Sequence, residues 1–399
     1  MIEIGNKKVY YISYFGDSDK GKYRVPAPAA DAKVEYIAQV MSEEGYEVEV
    51  VSFREFDKRD NLLEVQGGYI KKLGRFKIHF FSSFSSKLRI IRLLGRLYTK
   101  WQGKKYINRI LKENDTQIII YHSLALMWIA ELLKERGRSF IFEAEEVYSD
   151  VIEDEQLRKN EIRILEKADG YIFPTGLLSE VVNKLNKPEV IIHGTYRAEP
   201  ISSNIIINID SSNEMVHCVY AGTLDPRKGG ALAAINAARY LPSNYHMHIL
   251  GFGSEKEIRD TILEIDRISN EKEATVSYDG VLYGEKYTSF LQSCQIGLST
   301  QNPSGVYNST SFPSKILSYM ANGLKVVSVR IPAIETSAIG NSIFYYDRQD
   351  PKEIAHAIIE AGKCNLINPR MVINNLDHEF RKRIKQLVEM GEEHGKMES

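Results

Sequence analysis

The chain has 399 residues, too many for one ordinary core and comfortable for two. With 43% hydrophobic and 26% charged residues and a formal net charge of -1, it reads as a globular protein and not as a bulk nucleic-acid binder. Its three cysteines, Cys218, Cys294 and Cys364, lie far apart. That spacing excludes a disulfide framework and a paired metal-ligand motif, and it points to a reducing, cytoplasmic compartment. The N-terminal MIEIGNKKVYYISYF has no charged head before an apolar run, so no signal peptide is expected, and no apolar stretch is long enough to span a bilayer.

Along the chain, strand and helix patterns alternate. The run KKVYYISYF (7–15) predicts a buried parallel strand; a loop with Gly16 and Gly21 follows, then a helix through DAKVEYIAQVMSEEG that stops at Gly45. YEVEVVSF predicts the second strand, TQIIIYHS (116–123) another that ends at His122, and LALMWIAELLKERG the helix after it. RSFIFEAEE runs from strand into acidic residues, and a helix around ILEKADG leads to YIFPT and PEVIIHG. A polar stretch near 197–214 separates this half from a second series. There MVHCVYAGTL, YHMHILGFG, ATVSYDGVL, QIGLST, LKVVSV and NSIFYY predict strands. GALAAINAARYL, EKEIRDTILEI, EKYTSFLQSC and PSKILSYMANG predict the helices between them, and DHEFRKRIKQLVEM a terminal amphipathic helix. Alternation of this kind implies parallel sheets covered on both faces. The expected division is an N-terminal α/β domain over 1–196, a C-terminal one over 215–375, and a helix over 376–399 that packs back on the first domain.

In open α/β sheets ligands bind beyond the carboxyl ends of the strands, and three motifs of the second half lie there. YAGTLDPRKGG (220–230) places Gly222 and Thr223 at a strand end and Arg227 and Lys228 at a helix start, where free backbone N–H groups favour an anion. The plain alternative is a solvated turn with two surface cations. GFG (251–253) supplies Gly251 and Gly253 in a tight turn and falls short of a dinucleotide fingerprint. NSTSFPSKILSYMANGLKVVS (308–328) puts Thr310, Ser311, Ser314 and Lys315 at a helix start opened by Pro313, with Ser318 one turn on; the alternative is a capped helix with an exposed lysine.

In that order, GTLDPRKG, ILGFG, VSYDG and FPSKILSYMANG resemble the nucleotide-binding half of the GT-B glycosyltransferases, especially the retaining group 1 (family 4-like) enzymes that build bacterial polysaccharides. The resemblance is clear over most of 215–335 and looser before it, through the glycine loop, LEKADGYIFPT and IIHG. It implies two Rossmann-like domains facing across a cleft, a nucleoside-diphosphate sugar as donor, and a glycan or polyprenyl-linked acceptor in cell-surface polysaccharide synthesis. No cofactor and no metal are expected, since Lys228, Arg227 and Lys315 would carry the charge of the leaving diphosphate. Two positions depart from the family pattern. Thr223 stands where an arginine is common, and Ser318 where a glutamate precedes Tyr-Met-Ala; the earlier glutamate of that pair would fall near Thr310. Hydroxyls can bond ribose or phosphate but supply no carboxylate.

The first half would take the acceptor. The loop GDSDKGKYR could bring Gly16 to the diphosphate, His122 matches the family's strand-end histidine that touches the donor sugar, and Glu143, Glu145 and Glu146 follow a strand where one could orient an acceptor hydroxyl. The stretch 85–112 contains Lys87, Arg89, Arg92, Arg96, Lys100, Lys104 and Lys105 among leucine, isoleucine, tyrosine and tryptophan, without one acid. It suits a peripheral face on an anionic membrane; the alternative is a helix pair packed on the sheet with its cations in water. Two other functional readings stay open: a sugar-nucleotide epimerase of the same fold, and a non-catalytic partner subunit of a glycosyltransferase.

Overall fold

The structure is a computed structural model that describes residues 7–17, 19, 24–202, 215–269, 274–302 and 311–397. Two compact units emerge. The first comprises 1–174, 178–195 and 379–399; the second comprises 175–177 and 196–378.

In the first unit the strands are β1 (Lys8–Ser13), β2 (Glu47–Ser52), β3 (Glu64–Gln66), β4 (Tyr69–Leu73), β5 (Phe76–Phe80), β6 (Ser83–Ser85), β7 (Thr116–Tyr121), β8 (Ile141–Glu143), β9 (Gly170–Phe173) and β10 (Glu189–Ile191). The helices are α1 (Pro28–Glu43), α2 (Arg89–Ile110), α3 (Met127–Glu135), α4 (Tyr148–Ile152), α5 (Glu155–Leu165) and α6 (Gly176–Val182). Eight strands form one sheet in the order β10-β9-β8-β7-β1-β2-β5-β4. All neighbours are parallel except β4 and β5 at the edge. The central strand β1 pairs with β2 through Tyr11↔Val50 and with β7 through Tyr11↔Ile119. Val9, Tyr10, Tyr11 and Ile12 are all buried, as a parallel strand covered on both faces requires.

The second unit contains β11 (Val216–Thr223), β12 (Tyr245–Phe252), β13 (Thr275–Gly280), β14 (Ile296–Ser299), β15 (Lys325–Val329) and β16 (Ile343–Tyr346). Its helices are α7 (Gly230–Ala237), α8 (Glu255–Ser269), α9 (Gly284–Gln292), α10 (Lys315–Ala321), α11 (Pro332–Glu335), α12 (Pro351–Lys363) and α13 (Pro369–Met397). The sheet order is β13-β12-β11-β14-β15-β16 and every pair is parallel. Counted from its own first strand this is 3-2-1-4-5-6, the dinucleotide-fold order, with its switch point between β11 and β14. From Glu379 on, α13 belongs to the first unit: Phe380 stacks on Tyr36 of α1 at 5.5 Å, and Arg381 pairs with Glu43 at 2.7 Å.

Two regions differ from the sequence expectation or extend it. Residues 64–85 carry four short strands. The signal is the period-2 burial of FKIHF beside a turn at Gly74, whose φ of 56° suits glycine. Residues 89–110 form one helix and not a pair. It runs through Gly95 and Gly103 because both abut other groups: a Cβ on Gly95 would lie 2.0 Å from the Phe84 carbonyl, and one on Gly103 2.1 Å from the Phe53 ring.

The second sheet is clamped at its switch point by one hydroxyl. Tyr319 of α10 is fully buried; its Oη accepts the Ala221 N–H at 2.8 Å and donates to the Leu298 carbonyl at 3.3 Å, so it joins β11, β14 and α10. Tyr319→Phe leaves a buried N–H unpaired and is expected to destabilise the second unit by about 1–3 kcal/mol in urea denaturation. An unchanged midpoint would show that the hydroxyl contributes nothing.

Candidate functional site

The carboxyl ends of β11 and β14 frame the first candidate site. Tyr220 is buried on β11, and its Oη donates to the Thr223 carbonyl at 3.0 Å, which curls the strand end. Gly222 follows because nothing larger fits: a Cβ there would lie 2.9 Å from Lys315 Nζ and 3.1 Å from Tyr220 Oη. Gly230 opens α7 against the Tyr220 ring, with a built Cβ at 2.7 Å. Gly229 caps α7 with a φ of 67°, and no side chain caps that helix start. The first N–H groups of α7 therefore remain for a ligand. Gly251 and Gly253 serve packing, since built Cβ atoms would lie 2.5 Å from the Gly222 carbonyl and 2.9 Å from Glu257.

Lys315 is part-buried at the start of α10, its ammonium 4.3 Å from the centre of the Tyr220 ring. Burial, and after it the charge of Lys228, push its pKa down to about 8. Lys228 is exposed in the turn before α7. Lys228 is within electrostatic reach of Asp225, a carboxylate already paired with Arg227, and among the described residues Lys315 has no carboxylate partner. Two cations that repel each other beside an uncapped helix start are balanced by a bound anion better than by water.

The other predicted residues of this half divide. Arg227 is exposed and held by Asp225, with Nη2 to Oδ2 at 2.7 Å, so its charge is answered inside the turn. Thr223 Oγ1 accepts the Asp225 N–H at 3.2 Å. Ser318 hydrogen-bonds Tyr287, and Ser314 is exposed at the start of α10 without a capping bond. Ser311 is half-buried, and Thr310 lies outside the described residues.

The first unit has its own cavity, about 460 Å³, at the matching switch point between β1 and β7. Tyr14, Asp31, Arg54, Arg96, Ser123 and Tyr148 are among its lining. Asp31 accepts the Gly16 N–H at 3.1 Å and the Ala27 N–H at 2.7 Å, tying the end of β1 to the start of α1. Burial raises its pKa. Gly16 is packed against Pro26, a built Cβ falling 2.4 Å from its Cα. The cavity brings together residues that sequence motifs did not single out: Arg54, Asp31 and three tyrosines, Tyr14, Tyr121 and Tyr148. Their shared signal is position, each being at or just after a strand end or on the helix that follows.

His122 and Glu143 do not reach that cavity. His122 is 0% exposed, packed against Phe142 and Tyr148, with Nε2 3.2 Å from Glu161 Oε1. Glu161 also accepts the N–H groups of Tyr148 and Ser149, so the pair fixes the turn into α4 and touches no surface. Glu143 is equally buried; it accepts from Tyr11 and faces Lys33 at 3.8 Å, and burial pushes its carboxyl up. Inward-facing strand ends explain both: the last residue of β8 and the residue after β7 point into helix packing. Glu145 pairs with Lys33 at the surface side, and Glu146 is half-buried with its carboxyl raised by burial and by Glu145. Among the described residues no three His, Cys, Asp or Glu side chains gather as metal ligands.

Residues 216–363, the span that holds the lysine site, match the family model "Glycosyl transferases group 1". No curated protein matches the chain in sequence. Solved structures match its fold across nearly the whole length. Sucrose-phosphate synthase from Thermosynechococcus elongatus has a TM-score of 0.65 at 14% identity, with 96% of this chain and 98% of that one covered. α,α-Trehalose 6-phosphate synthase from Burkholderia multivorans has 0.60 at 11%, covering 98% of each. HepE of Anabaena, solved with UDP, has 0.60 at 13%, covering 96% and 99%. The fold is thus GT-B, built from two Rossmann-like units.

The Lys315 titration has a definite sign. Between pH 8 and 10.5 the unfolded chain holds more protons than the folded one, so stability from this position rises with pH. Lys315→Met should be more resistant to urea than the parent at pH 7, and that advantage should shrink towards pH 10.5. A pH-independent difference would mean that Lys315 is not desolvated.

Proposed function

We propose that this chain, whose residues 216–363 carry a group 1 glycosyltransferase domain on a GT-B fold, moves a sugar from a nucleoside-diphosphate sugar to a glycan or polyprenyl-linked acceptor. The observation that carries the reading is the Lys228–Lys315 pair beside the uncapped start of α7. In this reading the donor's diphosphate lies there. As the bond from the anomeric carbon to the β-phosphate oxygen breaks, its electron pair passes to the diphosphate. Fixed cations and helix N–H groups stabilise that charge as it develops. The acceptor hydroxyl attacks the anomeric carbon, and its proton passes to the departing phosphate oxygen. The lysines supply the charge neutralisation, so no metal is invoked. HepE, of the same fold, is solved with UDP, which supports a nucleotide donor. The resemblance of the motifs to retaining polysaccharide-building enzymes supports retention, hexosyl transfer and a role in cell-surface polysaccharide synthesis.

The acceptor in this reading uses the cavity of the first unit. Tyrosine rings and an arginine–carboxylate rim suit a sugar or a pyrophosphate. Glu145 and Glu146 stand nearer the surface than Glu143 and remain the acceptor-side carboxylates. His122 acts through Glu161 as a positioning residue.

Lys228→Ala and Lys315→Ala should each keep the fold, lower transfer and weaken diphosphate binding by about one to two decades, the worth of a charge-assisted bond of roughly 1.5–3 kcal/mol. Binding should also weaken as pH rises above about 8, because the free enzyme then loses the Lys315 proton that the bound form retains. Titration calorimetry reads both effects. Folded variants that bind as tightly as the parent would displace the donor site. A parent that binds none of the uridine, guanosine, adenosine, cytidine and thymidine diphosphates would favour the partner-subunit reading.

A further inference from the structure

The helix α2 has two apolar stripes, and only one of them is used. Gly95, Thr99, Gly103, Tyr106 and Ile110 are buried against the unit. Thr99 Oγ1 meets Ser83 Oγ at 3.0 Å, and Gly103 abuts Phe53. Ile90, Leu93, Leu94, Leu97 and Trp101 are exposed, from 51% for Leu94 and Trp101 to 68% for Ile90. At 100° per residue this second stripe points away from the first. Leu62 and Leu63 are exposed in the segment tied to the helix start, where Ser86 Oγ bonds the Leu62 carbonyl and Lys87 N–H the Asn61 carbonyl.

Cations flank the exposed stripe on both sides: Arg89, Arg96, Lys100 and Lys104 on one, Lys105 and Arg109 on the other. From residue 85 to 112 there is no acid. Among the described residues Arg89, Lys100, Lys104 and Lys105 meet no carboxylate, whereas Arg96 pairs with Glu55 at 3.3 Å. Lys105 lies 3.6 Å from the Trp101 ring centre, its stem along the apolar stripe and its charge at the rim. No described helix is long and apolar enough to cross a membrane.

We propose that α2 docks this chain on an anionic lipid bilayer, with Ile90, Leu94, Leu97 and Trp101 entering the headgroup–acyl boundary and the flanking cations meeting lipid phosphates. Charge selects this occupant. A protein partner would need an apolar groove with acidic rims on both sides, whereas a bilayer with anionic headgroups offers that surface everywhere. Arg96, on the same helix, also lines the first unit's cavity. Docking would then hold that cavity within about 10 Å, one helix diameter, of the lipid surface. This last step rests on the acceptor reading; the docking itself does not.

The test needs neither donor nor acceptor. The full chain is mixed with vesicles of phosphatidylcholine alone or with 30 mol% phosphatidylglycerol, added as about one-third of the lipid, and binding is followed by flotation and tryptophan emission. Expected are binding to the anionic vesicles, weakening with salt, and a blue shift that survives Trp128→Phe and is lost in Trp101→Phe. The triple variant Arg89→Gln, Lys100→Gln, Lys104→Gln should partition about a hundredfold more weakly, roughly fivefold per cation. Leu94→Glu with Leu97→Glu should abolish binding with an unchanged circular dichroism spectrum, both positions being exposed. Absence of binding to anionic vesicles, or equal binding to neutral ones, overturns the proposal. So does a concentration-dependent dimer that the Leu94→Glu, Leu97→Glu variant dissolves, since the stripe would then be an interface between copies.

Discussion

Everything at the lysine site follows from how a parallel sheet must be connected. Successive strands on one side of β11 run to β12 and β13, and on the other to β14, β15 and β16. Right-handed crossovers then send the helices after β11 and β14 to opposite faces. The two strand ends part, and neither following helix fills the gap. A residue at the start of either helix can reach into it. Lys315 does so from α10, and Lys228 approaches from the turn before α7. The low pKa of Lys315 is the electrostatic record of that placement: it is desolvated beside Tyr220 and Gly222 and repelled by a second cation. Like charges held together weaken the fold unless an anion lies between them.

The glycines belong to the same constraint. Gly222, Gly230 and Gly297 each lie against an aromatic ring or a lysine head, with built Cβ atoms at 2.9, 2.7 and 2.3 Å from Lys315, Tyr220 and Tyr319. Their role is close approach and not backbone freedom, because positive φ is confined to others such as Gly229 and Gly323. Tyr220 and Tyr319 fill the space that the glycines leave, and their hydroxyls bond backbone that would otherwise be unpaired. Backbone spacing at the strand ends is thus set by two tyrosines, and Lys315 inherits its position from them.

How far the sequence revealed this can be traced residue by residue. The strands of both units stood out because β-branched and aromatic runs bounded by glycine have few other readings, and β11 through β16 fall where those runs lie. Lys228 and Lys315 were legible as strand-end cations in an ordered set of motifs. His122 and Glu143 were misplaced because position after a strand says nothing about which way a side chain turns; both turn inward, to Glu161 and to Tyr11. The cavity of Asp31, Arg54 and Tyr148 left no motif, since its residues come from three strand–helix junctions, the end of β2 and the middle of α2. Residues 64–85 escaped for a different reason: strands of three to five residues, half-exposed at an edge, give too short a period to separate from loop.

The hydroxyls at Thr223 and Ser318 complete the physical picture of the lysine site. In a site that held its nucleotide through carboxylates, an acid at either place would pull against Lys315 and raise its pKa. Here Thr223 Oγ1 is spent on the Asp225 N–H, Ser318 on Tyr287, and Arg227 on Asp225. Among the described residues Asp225 is the acid that interacts with Lys228, and its charge is answered by Arg227, so Lys315 keeps no carboxylate partner. On the proposed reading, hydroxyls at these two positions leave the positive charge of Lys228 and Lys315 as the feature that an anionic ligand would meet first. On that reading, recognition in the second unit would rest on the diphosphate first, because the positive field of Lys228 and Lys315 is its most distinct feature.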